Sequence, residues 1–213
     1  MTDLDELRDE LMRTSFGLRE AAADPVQQFR QWFQTAKAAG LYEPRAMALA
    51  TVRADGQPTA RMVVLAGFDE RGFDFATDDR SPKAADLQRQ PRAALVFHWA
   101  ELQRQVRVEG TVELLDAAAT DAYFYQRARA SQFATWLARQ SDVLEGREVL
   151  EERLLKRLAE YEERPVPRPP YYVAYRVRPA VIEFWQARSD HINDRVRYHC
   201  AEDGAWIIDL LAP

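Results

Sequence analysis

Apolar residues recur along the chain with two periods, and the change from one to the other divides it. Between Pro25 and Ala39, the residues Phe29, Trp32, Phe33 and Ala36 fall at i, i+3, i+4 and i+7, which is the spacing of one buried helical face. Asp24 before Pro25 reads as an N-cap followed by a first-turn proline, and Gly40 is placed to end the helix. Residues 1–24 ahead of it read as a polar amphipathic arm, and residues 25–213 as a single domain. From Ala46 to Leu115 the period falls to two. Strands are predicted over AMALATVR, TARMVVLAGF, FDFAT, RAALVFHW and RQVRVEGTVELL, with turn signals at Ala54-Asp55-Gly56 and from Asp69 to Gly72. One short helix interrupts them, with Ser81 as N-cap, Pro82 at its first position and Lys83 in its first turn.

About fifty residues of helical text follow. Asp116 caps a segment through Arg127, a second runs from Ser131 to Arg139, and a third from about Val143 to Glu162, where PVPRPP breaks it. The chain then returns to strands at YYVAYRVR, VIEFWQA, VRYH and AWIIDLL, separated by turn material. Strands on both sides of a helical insert predict an α+β fold whose terminal strands complete the first sheet.

Composition narrows the function. The 213 residues carry a formal charge of −5, which argues against generic nucleic-acid binding through a basic surface. No apolar run is long enough to span a bilayer, and the acidic N-terminus MTDLDELRDELMR lacks the plan of a signal peptide. The single cysteine, Cys200, cannot form an internal disulfide, so a cytoplasmic location is expected. One Cys and three His residues leave little material for a metal site. The eight glycines at 17, 40, 56, 67, 72, 110, 146 and 204 make neither a GxGxxG loop nor a Walker loop. Any bound phosphate must therefore be held by side chains.

The segments RMVVLAGFDERGFDFAT, SPKAADL, RQVRVEG, AYFYQRARASQFATWLARQS, VIEFWQ and DR occur in an order and spacing that resemble the pyridoxamine 5'-phosphate oxidase family, from about Ala23 to Pro213. The resemblance implies an FMN-binding split β-barrel, mostly antiparallel, with flanking helices and a helical insert. It also implies a homodimer with FMN at the interface. Arg61 and Lys83 match the family's contacts to the FMN phosphate, a role for which guanidinium and ammonium donors suit a dianion. Gln105, Gln140 and Ser141 would hydrogen-bond the cofactor, Trp185 and Arg195 would close the site, and Met62, Val63, Val64, Leu65, Ala66, Ala76 and Thr77 would line it. On the substrate side the resemblance implies Tyr123, Arg127 and Ser131 as phosphate contacts, with Arg8 reaching in from the arm. Tyr123 and Arg127 are four apart and share a helical face.

Four positions depart from the family pattern. Its lysine at the end of the RxVxLK strand is Ala66, and the Arg before the FMN-binding lysine is Pro82. A tyrosine of its arm aligns with Leu11. Its Arg-Leu-His-Asp-Arg segment reads His191-Ile192-Asn193-Asp194-Arg195, so His191 and Asn193 take the catalytic places over the substrate ring. His191 could hydrogen-bond or carry a proton there, whereas Asn193 could only hydrogen-bond. The implied function is an FMN-dependent oxidase converting pyridoxamine 5'-phosphate or pyridoxine 5'-phosphate to pyridoxal 5'-phosphate, with dioxygen reduced to hydrogen peroxide. The departures raise two others: an FMN oxidoreductase of the same fold acting on a different, phenazine-precursor-like heterocycle, and a non-catalytic flavin- or vitamer-binding dimer.

Overall fold

The computed structural model describes residues 3–162 and 164–213. Helix α1, Leu4–Arg13, is capped by Asp3, whose side chain accepts the Asp5 N–H. Its Leu4, Leu7 and Leu11 rest partly buried against the main core. Phe16 is buried beyond it, and its N–H donates to Asp194 Oδ2 at 2.8 Å. Part of the arm is therefore docked on the barrel. Helix α2, Pro25–Ala38, starts as its sequence dictates, with the Gln27 N–H donating to Asp24 Oδ1 at 2.8 Å. The chain leaves it through Gly40 at φ +70°, a left-handed conformation that glycine adopts without a Cβ penalty.

The strands are β1 Ala46–Val52, β2 Pro58–Asp69, β3 Gly72–Asp78, β4 Arg92–Trp99, β5 Arg104–Leu114, β6 Tyr172–Gln186, β7 Asp194–Cys200 and β8 Trp206–Leu210. They are all paired antiparallel, in the order β3-β2-β1-β4-β5-β6-β7-β8. A further β3–β6 pairing closes the first six into a barrel and leaves β7 and β8 as an extension from β6. Inward positions alternate along the strands, so Met47, Leu49, Leu65, Phe97, Val106 and Phe184 fill the barrel. Helix α2 closes it, with the Phe29 ring edge-on to Phe73 and Phe68 at 4.8 and 4.9 Å between centroids.

YYVAYRVR and VIEFWQA, which read as two strands, form one. The first half of β6 pairs with β3 and the second half with β7, and Pro179, which has no N–H to give, sits where one neighbour ends and the next begins. Opposite Pro179 the β5 register slips at Glu109/Gly110. A Cβ on Gly110 would lie 1.9 Å from the Arg178 carbonyl oxygen, so only glycine lets the two backbones pass this closely.

Helix α3, Pro82–Arg89, joins β3 to β4. The insert between β5 and β6 holds α4 Ala117–Tyr125, α5 Arg129–Ala134 and α6 Glu148–Tyr161. Helix α5 stops short of the expected Arg139, and α6 begins at Glu148 instead of near Val143. The residues between are drawn onto the barrel: the Gln140 N–H donates to Asp78 Oδ2 at 3.2 Å, and Ser141 takes φ +75°. A second core of Phe124, Phe133, Val166 and Tyr172 fastens the insert to the start of β6. Among the described residues no helix is long and apolar enough to cross a membrane.

Candidate functional site

A cavity of about 1200 Å³ lies between β2, the end of β3, the start of α3 and the helical insert. Met62 to Ala66, Ala76 and Thr77 form its barrel wall, and Gln140 and Ser141 come from the loop after α5. Arg61 and Lys83 meet at one end. The Arg61 guanidinium donates to the Leu49 carbonyl at 3.2 Å, to Thr51 Oγ1 at 2.7 Å and to Thr59 Oγ1 at 2.5 Å, with Asp86 at 3.9 Å. Lys83 Nζ donates to Gln140 Oε1 at 2.6 Å, Thr77 Oγ1 at 3.1 Å and Ser81 Oγ at 3.3 Å.

Lys83 is buried, and among the described residues no carboxylate lies within ion-pair distance of it. Burial, and then the neighbouring Arg61 charge, hold its pKa below the ordinary lysine value. Burial lowers Arg61 in the same way. Two cations lie side by side, one hydrogen-bonded only to neutral oxygens with Asp78 acting from beyond ion-pair distance, so the site is short of negative charge. A phosphate dianion supplies that charge, so the residues fit the group that the sequence implied.

The other end carries Tyr123 and Arg127 from α4 and its C-terminal turn, and Ser131 from α5. Arg127 donates to Thr135 Oγ1 at 2.7 Å, and its guanidinium carbon lies 5.2 Å from the centre of the Tyr172 ring. The Tyr123 hydroxyl donates to Asp74 Oδ2 at 2.6 Å. Asp74 is fully buried on β3 and takes a bidentate pair from Arg176 of β6, both bonds at 2.7 Å. Burial and the Asp74 hydrogen bond push the Tyr123 phenol well above its ordinary pKa. Gly67 makes room for it, since a Cβ there would lie 2.6 Å from the Tyr123 oxygen.

The remaining expected residues gather elsewhere. Gln105, Trp185 and Arg195 are register neighbours across β5, β6 and β7, and so stand in a row on one sheet face. Arg195 pairs with Glu183 at 2.9 Å and donates to the Ala212 carbonyl. His191 is exposed at φ +63° in the loop before β7, where Asn193 Oδ1 accepts the Arg188 N–H at 3.1 Å. The Ser189 N–H in this loop donates to the Met12 carbonyl, which ties it to the chain just after Arg8 on α1. Arg8 itself pairs with Asp5 at 2.8 Å. None of these six residues lines the cavity. The expected site residues of a single chain thus fall into two separate groups.

Sequence reasoning passed over Asp74 and Arg176. The only signal for Asp74 was its place between Phe73 and Phe75 in a strand that turns out to be buried on both faces. Its partner lies 102 residues away, beyond the reach of any local pattern. Asp86 and Asp78 carry no sequence signal either, and Ser81, which reads only as an N-cap, makes no side-chain cap hydrogen bond and instead accepts from Lys83.

Comparison with known proteins covers the segments that carry both groups. The family model described as pyridoxamine 5'-phosphate oxidase matches residues 33–186. That described as pyridoxine 5'-phosphate oxidase C-terminal dimerisation region matches residues 172–213. Pyridoxine/pyridoxamine 5'-phosphate oxidase of Rubrobacter xylanophilus is 50% identical over 204 residues, covering 96% of this chain and 94% of the relative. The protein of the same name from Cupriavidus pinatubonensis is 46% identical over 213 residues, covering all of both chains. Among solved structures, PhzG from Burkholderia lata 383 in complex with tetrahydrophenazine-1-carboxylic acid superposes with a TM-score of 0.88 at 29% identity, covering 95% of this chain and 100% of that one.

Proposed function

The chain belongs to the pyridoxamine 5'-phosphate oxidase family, and we propose that it uses FMN to oxidise pyridoxamine 5'-phosphate or pyridoxine 5'-phosphate to pyridoxal 5'-phosphate. Dioxygen becomes hydrogen peroxide, and the amine substrate also takes up one water and releases ammonia. The observation that carries the cofactor assignment is Lys83, a buried ammonium bonded only to Gln140, Thr77 and Ser81 beside Arg61. The chemistry that FMN supplies when bound is two-electron oxidation of the substrate's C4' carbon and transfer of the electrons to dioxygen.

The chain's own residues bind and orient. Arg61 and Lys83 hold the cofactor phosphate, Gln140 and Ser141 hydrogen-bond the cofactor, and the backbone from Met62 to Ala66 with Ala76 and Thr77 forms its wall. Arg127 and Ser131 grip the substrate at the far end of the cavity, and Tyr123, whose hydroxyl proton goes to Asp74, lines it beside them. Fixing both reactants in one cavity replaces a bimolecular encounter with a positioned one.

The match to the family's C-terminal dimerisation region supports a homodimer. We place one FMN at each of two interface sites, where Gln105, Trp185 and Arg195 of one copy, with Arg8, His191 and Asn193, complete the cavity of the other. A two-fold axis brings each half-site to its complement twice over. Outward-facing Met62 and Val64, 66% and 48% exposed, supply apolar surface for such a contact.

An absorption spectrum of the purified protein, followed by a peroxide assay, tests the reading. Flavin-yellow protein that yields peroxide with either phosphorylated substrate is the expected result. Yellow protein inert toward both would overturn the substrate and favour another flat heterocycle, the reading that Ala66 supports. Colourless protein unable to take up FMN would favour the non-catalytic dimer.

A further inference from the structure

We infer that Arg45 is a specificity-determining residue of this cavity, binding the phosphate of the substrate at the end away from Lys83; the inference rests on the oxidase reading above. Five cationic side chains line the cavity: Arg45, Arg61, Lys83, Arg127 and Arg139. Four are already engaged. Arg61 and Lys83 are held as described, Arg127 donates to Thr135, and Arg139 donates to the Arg80 carbonyl at 2.8 Å. Among the described residues the Arg45 guanidinium has neither a hydrogen bond nor an ion pair, although Glu43 lines the same mouth. An incoming anion can therefore bind it without displacing an existing partner.

Its position directs it to the substrate end. The Arg45 carbonyl accepts the Leu65 N–H at 2.9 Å, which puts Arg45 beside the stretch of β2 that continues through Ala66 and Gly67 to the Tyr123 hydroxyl. Ala66 and Gly67 present no side chain beyond a methyl on that stretch, and Arg45 and Tyr123 both line the cavity. That end also lacks donors. The Tyr123 proton is committed to Asp74, leaving Arg127 and Ser131 to face a dianion. A third donor from Arg45, exposed in the cavity lining, meets that shortage.

The test is calorimetric titration of the FMN-loaded protein with pyridoxal 5'-phosphate and with pyridoxal, which lacks the phosphate, alongside peroxide kinetics on pyridoxamine 5'-phosphate. Arg45→Gln should weaken binding of the phosphorylated ligand about 10- to 100-fold, the scale of one charge-assisted hydrogen bond, and raise KM similarly. Pyridoxal affinity should move less than about twofold on the same scale. Ala66→Lys introduced into Arg45→Gln should restore most of the loss by placing an ammonium on the adjoining strand. Unchanged affinity for pyridoxal 5'-phosphate, or an equal loss for pyridoxal, overturns the role of Arg45. A wild-type protein that yields no peroxide overturns the oxidase reading instead, and the calorimetric comparison still decides on Arg45.

Discussion

Lys83 of α3 and Arg176 of β6 are both buried cations, 6% and 5% exposed, yet they are solvated in opposite ways. Arg176 has its own counterion: Asp74 takes two of its N–H groups at 2.7 Å, Asp69 lies at 3.3 Å, and Tyr123 completes the carboxylate's shell at 2.6 Å. Lys83 has three neutral oxygens and another cation nearby. A buried charge paired within the fold is an internal tie between elements, here β3, β6 and α4. A buried charge held by dipoles alone is a cost to the fold that a ligand's opposite charge offsets.

The contrast breaks most readily at Asp74. Asp74→Ala leaves Arg176 buried with only the more distant Asp69, and should destabilise the protein by roughly 3 kcal/mol or more, measured by denaturant unfolding of the FMN-free protein. Lys83→Met is the counterpart. It should weaken FMN binding about 10- to 100-fold in a fluorescence-quenching titration while leaving FMN-free stability equal or higher. Loss of stability on Lys83→Met, comparable with that of Asp74→Ala, would show that both cations are structural and erase the distinction.

The pH dependence of FMN binding sharpens the same point with a smaller effect. In the free protein the Lys83 pKa is lowered by burial and by Arg61, and a bound dianion favours the ammonium and raises that pKa again. FMN affinity should therefore be full at neutral pH and decline as pH rises through the lowered value. Lys83→Arg should flatten the decline. Stability of the FMN-free protein has the opposite sign. A lysine whose folded pKa lies below its unfolded one costs stability while charged, and that cost is relieved as pH rises through the folded value.

The parts of the site that could be read in advance are those with local signatures. Ser81-Pro82-Lys83 declares a helix start, so the lysine's place at the foot of α3 follows from three adjacent residues. Tyr123 and Arg127 share a face through simple helical spacing. Their hydrogen-bond partners were not legible. Tyr123 meets Asp74 across 49 residues, and Lys83 meets Gln140 across 57. The helical text from Thr135 to Arg139 also misled, because local propensity carries no record of the Asp78 carboxylate that accepts the Gln140 N–H just beyond it. Pro179 misled for a related reason: it reads as a strand end, and continues as a strand only because its neighbours change at that residue.

By itself, the sequence determined the elements and the inventory of chemistry. Period-two text on both sides of a helical insert required an antiparallel sheet completed from the end of the chain, and the scarcity of glycine required side chains for any phosphate. Tertiary structure alone decided which of those side chains are available. Closing the barrel through β3 and β6 brought Asp74 to Arg176 and fixed the Tyr123 proton, and among the described residues the fold places no carboxylate within ion-pair distance of Lys83 and no partner on the Arg45 guanidinium. The physical reason is that a side chain's type is local, whereas its desolvation and its partners depend on residues up to a hundred positions away.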